Sequence, residues 1–221
     1  METLTLQTDK TQAPTDQRLD RFLVPSLSAR VGKQIVCIAG LGPSCGKSVI
    51  ATNLAYLLSQ EGVHARHFHS EPLETFESSL HTRTQMVIVE IKQEVSRWYS
   101  VAHETLLITD PSRLNGSTIE MAHHFLRILN QTERPVHVRL LVNRANNFHH
   151  AKKIYNLIRK AALEFPLIHL KYFGFLPKEP LLETWTARNK KFVAKYPDSV
   201  TTAVLRGLML RLKYHYELWR Y

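Results

Sequence analysis

Gly46-Lys47-Ser48, led in by Ala39-Gly40-Leu41-Gly42-Pro43-Ser44-Cys45, offers what a bound polyphosphate needs. Backbone N–H groups that can approach closely, a lysine for the β/γ oxygens and a hydroxyl for Mg²⁺ follow one another in that order. Gly42, Pro43, Ser44, Cys45, Gly46, Lys47 and Ser48 are therefore the candidate cradle of a P-loop. Leu41 stands where the general pattern G-x-x-x-x-G-K-[ST] has its first glycine, so the setting must carry part of the reading. Cys45 reads either as a spacer whose N–H faces phosphate or as a thiol made acidic by a helix N-terminus; the spacer is favoured.

The elements that would position this loop are legible on both sides of it. Residues 34–39 (QIVCIA) form a short apolar, β-branched run, and Val49, Ile50, Leu54, Leu57 and Leu58 then follow helical spacing until Gly62. Further apolar runs at 65–69, 86–91, 105–109, 136–142 and 168–176 predict strands. Helices are predicted over 47–61, 117–130 (stripe Ile119, Ala122, Phe125, Leu126, Leu129) and 149–164 (stripe Ile154, Leu157, Ile158, Ala161). Strands this continuously apolar, alternating with helices, imply an α/β fold of three layers: a mostly parallel sheet covered by helices on both faces.

Composition bounds the rest. A chain of 221 residues with 44% apolar residues suits one ordinary α/β domain, assigned to 31–221, with the polar residues 1–30 as a flexible arm. No run approaches the roughly eighteen apolar residues of a membrane span, and the start METLTLQTDKTQ lacks a signal-peptide pattern, so a cytoplasmic protein is expected. Cys37 and Cys45 supply neither a disulfide framework nor zinc spacing. The net charge of +10 favours an acidic partner: nucleic acid, anionic lipid or an acidic protein surface.

The order GPSCGKSVIATNLAYLLSQEG, LLITDPSRLNGSTIEMAHHFLRIL, LLVNRAN and FGFLPKEPLLETWTARNKKFVAKYPDSVTTAVLRGLMLRL resembles the MinD/ParA family of P-loop ATPases, and within it the FlhG-type regulators of flagellar number and placement. The resemblance covers about residues 32–212, and Asp16–Arg21 (DQRLDR) is similar to the motif by which such proteins stimulate the flagellar GTPase FlhF. It implies a MinD-like fold, ATP or ADP with Mg²⁺ as cofactor, Ser48 and Glu90 beside the metal, Asn143 at the adenine edge, and protein partners such as an FlhF-like GTPase or an assembly component. For Asn143 a strand-capping turn residue is the equal alternative.

The same resemblance implies a weakened catalyst, and no catalytic residue is assigned. Gly42 occupies the place of the lysine that reaches a dimer partner's nucleotide, His69 and Glu71 fall where an acidic pair is expected, and Lys92-Gln93-Glu94 replaces a small-residue switch. Residues 70–85 are also short for a segment that often lines the dimer surface, which puts the homodimer in doubt. Cations and positioned groups carry phosphoryl transfer, whereas ground-state binding needs far less. The expected function is a nucleotide-binding regulator with weak or absent ATPase activity in flagellar or secretion-machine assembly. The rivals are a working partition-type ATPase that holds DNA or membrane, and a nucleotide-free scaffold.

Two further patterns bear on function. His67 and His69 share a strand face, but with no Cys or Asp nearby they read as boundary histidines rather than a zinc site. The helix over 199–219 carries Val200, Val204, Leu208, Leu212 and Trp219 among Arg206, Arg211, Lys213 and Arg220. Packing on the sheet is favoured over a basic tail touching anionic lipid at the inner face of the membrane.

Overall fold

The computed structural model describes residues 33–69, 83–91, 96–113, 116–132, 134–183, 185 and 191–218. Among these, six strands lie in one sheet: β1 (Gln34–Leu41), β2 (Ala65–His69), β3 (Met86–Glu90), β4 (Glu104–Thr109), β5 (Val136–Ala145) and β6 (Ile168–Pro177), in the order β2-β3-β1-β4-β5-β6. Every neighbouring pair is parallel. Because the chain leaves β1 toward one edge and later crosses to the other, the strand order reverses at β1, where the crevice beyond the strand C-termini favours ligand binding.

The period-2 geometry of β1 explains the three layers. Ile35, Cys37, Ala39 and Leu41 enter one core with Trp98 and Tyr99 of α2 (Ser96–Val101), Phe125 and Leu126 of α3 (Gly116–Asn130), and Ile154 and Ile158 of α4 (Phe148–Ala162). Val36 and Ile38 enter the opposite core with Ile50, Leu54 and Leu58 of α1 (Lys47–Gln60) and Leu205, Leu208 and Leu212 of α7 (Val200–Leu218). Alternate side chains of a strand point to opposite faces, so an unbroken apolar run builds two cores at once. Two short helices, α5 (Pro180–Glu183) and α6 (Phe192–Lys195), lead into α7. Buried Asn53 fixes α6 against α1, its Nδ2 donating to Val49 O at 2.7 Å and its Oδ1 accepting from Val193 N at 3.0 Å.

The structure corrects several details of the sequence reading. Ile119, Leu157 and Val200, expected on buried stripes, are exposed. Leu208 and Leu212 are buried against the sheet, and Lys213 Nζ donates to Glu61 O at 3.1 Å, so the apolar stripe of α7 is engaged in packing. Among the described residues no helix is long and apolar enough to cross a membrane. The arm over 1–30, with Asp16–Arg21, and Trp219 lie outside the described residues.

Candidate functional site

β1 continues to Leu41, two residues beyond the apolar run, and Leu41 pairs with Thr109 and is buried. That accounts for leucine at the first-glycine position: it is still a core strand residue. Gly40 supplies the space instead, since a Cβ there would lie 2.3 Å from Cys45 Sγ and 2.9 Å from Lys47 Cδ. The chain then takes positive φ at alternate positions, Gly42 (96°), Ser44 (54°) and Gly46 (95°). Such alternation turns successive amides inward, as in anion-binding backbone concavities.

Helix α1 begins directly after the loop with Gly46 as N-cap, no side-chain cap and no acidic residue in its first turn. Its first amides and the positive end of its dipole are thus left for an anionic ligand. Lys47 Nζ donates to Ile91 O at 3.1 Å and Ser48 Oγ donates to Glu90 Oε1 at 2.7 Å, so both motif side chains reach the end of β3. Burial works to raise the Glu90 pKa, but proximity of His67, the Ser48 hydrogen bond and the potential of His69 outweigh it and hold the carboxyl below its usual value. Cys45 is buried, and burial pushes its thiol up against the opposing pull of Lys47, which fits the spacer reading.

Asn143, at the end of β5, is buried, with Nδ2 donating to Cys45 O at 2.9 Å and Oδ1 accepting from Arg144 N at 3.0 Å. Its amide nitrogen ties to the loop backbone. Arg144 takes a left-handed φ of 54°, a strained conformation for a bulky residue, and its Nη1 donates to Ser44 O at 3.3 Å and pairs with Asp110 Oδ2. Asp110 Oδ1 in turn accepts from Ser112 N at 3.0 Å and Ser112 Oγ at 2.7 Å. Sequence reasoning does not single out Asp110 or Arg144; the signal available was a carboxylate closing the apolar run TLLIT at the sheet's C-terminal edge.

His67 and His69 sit at the sheet boundary, the second of them exposed, and neither a cysteine nor an aspartate joins them among the described residues. A glutamate lies beside them: His69 pairs in register with Glu90, and His69 Nδ1 and His67 Nε2 lie 3.3 Å and 3.5 Å from Glu90 Oε2. Glu71 and residues 92–94 fall outside the described residues.

No family model matches this sequence, and no curated protein matches it either. Solved structures share its fold. The MinD cell division protein of Aquifex aeolicus superposes with a TM-score of 0.62 at 14% identity, covering 81% of this chain and 97% of that one. A ParA family ATPase from Chlorobium tepidum gives 0.60 at 14% identity, covering 82% and 99%. A Cyanothece McdA variant in complex with ATP gives 0.56 at 12% identity, covering 82% and 97%. The architecture is therefore the α/β P-loop fold seen in MinD and ParA proteins.

Proposed function

We propose that this chain is a nucleotide-binding regulatory protein of the MinD/ParA type that holds ATP or ADP at Gly42–Ser48 and hydrolyses it slowly or not at all. The observation that carries this reading is the uncapped N-terminus of α1, placed after left-handed residues at 42, 44 and 46 and flanked by Lys47 and Ser48. Backbone amides and the helix dipole supply binding without further catalytic groups.

Mg²⁺ fits the site. Glu90 Oε2 is buried without a hydrogen-bond partner, and Oε1 is held by Ser48 Oγ, so an oxygen-seeking cation has a carboxylate and a hydroxyl to engage. Bound Mg²⁺ would neutralise phosphate charge. Ser48 and Glu90 would hold it, and Lys47 would meet the phosphate oxygens.

Weak turnover is supported by Gly42. Its φ of 96° would strain any side-chain-bearing residue, so this loop conformation disfavours a lysine at that position. His69 stands at the end of β2, where the family resemblance leads one to expect a carboxylate. The protein would then act through partners, an FlhF-like GTPase or an assembly component, in flagellar or secretion-machine placement. A partition-type ATPase that holds DNA draws support from the net charge of +10.

Calorimetric titration of the full chain with ATP and ADP, with and without Mg²⁺, tests the reading. Affinity lost in Lys47→Ala with negligible hydrolysis supports it. No binding would favour a scaffold, and brisk Mg²⁺-dependent turnover with salt-sensitive DNA binding would favour the partition ATPase.

A further inference from the structure

We infer that His67, His69 and Glu90 form a binding site for a zinc-class divalent metal ion, built into the sheet edge and competent without nucleotide. One ligand atom from each residue lies within 4.8 Å of the others. A tetrahedral ion with bonds of about 2.0–2.1 Å sets its ligand atoms roughly 3.3 Å apart. The two distances to Glu90 Oε2, 3.3 Å from His69 Nδ1 and 3.5 Å from His67 Nε2, already match that spacing. Closing the remaining pair falls to His69, whose side chain is 68% exposed and so has room to adjust.

The second observation is a mutual lack of satisfaction. His67 Nε2 and Glu90 Oε2 are both buried and neither has a hydrogen-bond partner. The two atoms face one another across 3.5 Å without closing a hydrogen bond, and a cation between them would engage both at bonding distance. The surroundings suit such an ion. Thr52 Oγ1 lies 3.2 Å from His67 Nδ1, so a hydroxyl accepting the Nδ1 proton leaves the Nε2 lone pair for metal, and Ser48 Oγ fixes the other oxygen of Glu90. Two imidazoles with one carboxylate select zinc or a neighbouring first-row ion over Mg²⁺, which prefers oxygen, and leave a position for water or a phosphate oxygen.

The test uses the full chain stripped with chelator and titrated by calorimetry with Zn²⁺, Co²⁺ and Mg²⁺ in the absence of nucleotide. One equivalent of Zn²⁺ should bind, with Mg²⁺ at least about a hundredfold weaker, and Co²⁺ should develop visible d–d absorption from nitrogen ligands. His69→Ala, at an exposed position, should keep the fold and weaken Zn²⁺ by about tenfold or more, as should Glu90→Gln. His137→Ala, which breaks the stacked His137–His169 pair elsewhere on the sheet, should change nothing. The inference is overturned if the stripped chain takes up no Zn²⁺, or if affinity survives in His69→Ala, or falls instead in His137→Ala. Lys47→Ala separates this site from the nucleotide proposal, because Zn²⁺ binding should persist there whether or not nucleotide binds.

Discussion

Asn143 Nδ2 donates to the carbonyl of Cys45 at 2.9 Å, tying the end of β5 to the glycine-rich loop across 98 positions of sequence. Gly46 makes room for this contact: a Cβ there would stand 2.4 Å from Asn143 Nδ2. The loop is therefore shaped by a neighbouring strand as well as by its own glycines.

Asn143→Ala should expose the worth of that tie. It strips the Cys45 carbonyl of its donor, which for a buried acceptor costs about 1–3 kcal/mol. Urea denaturation should show a lowered midpoint at constant slope, and Mg-nucleotide affinity should fall with it. A variant as stable as the parent would mean that the bond contributes nothing.

Gly40→Ala addresses the fold-back of the loop. The new methyl would meet Cys45 Sγ at 2.3 Å inside a buried site, an overpacking that costs about 1–3 kcal/mol. Pairing it with Cys45→Ala removes the obstructing sulfur, so the double variant should regain most of the lost midpoint. If the double variant is no better than Gly40→Ala, the close approach to Cys45 is not the cause, and the Lys47 stem, 2.9 Å from the new methyl, is.

His103 predicts a pH effect with a definite sign. Its Nδ1 accepts from Ile35 N at 3.1 Å, which requires the neutral ring, and burial followed by Arg134 lowers its pKa from 6.5. Below about 6.5 the unfolded chain takes up a proton that the folded chain resists, so stability is full above that pH and declines as pH falls toward the folded value. His103→Gln should flatten that part of the curve, read as the difference between the two proteins' denaturation midpoints from pH 8 to 5. Parallel curves would refute it.

The strands and long helices can be read from the sequence because continuous apolar runs and 3.6-residue stripes are local signals. α2 cannot, since Trp98 and Tyr99 are buried within a six-residue helix too short to show a period. Family pattern places Glu90 beside Ser48, yet nothing in the sequence announces its approach to His67 and His69. That meeting depends on the β2–β3 register, His69 opposite Glu90, and parallel register is set by the whole sheet rather than by either strand. Asp110 and Arg144 meet for the same non-local reason.

The pair formed by Glu104 and Arg139 lends itself to a sharper test of how buried charge is held on the β4–β5 face. Glu104 is 4% exposed and pairs with Arg139, whose guanidinium also lies over the Phe173 ring at 5.2 Å. Phe173 sits where the β5–β6 register shifts, and its carbonyl accepts from Arg211 Nη1 at 2.6 Å, so this cation is packed among apolar and charged neighbours. Arg139→Met keeps the stem but abandons a buried carboxylate, which should cost about 3–5 kcal/mol. Adding Glu104→Leu removes the abandoned charge, and the double variant should return to near parental stability, because desolvating both ions offsets most of their attraction. Equal losses in the single and double variants would show instead that Arg139 stabilises through its stacking on Phe173, independently of Glu104.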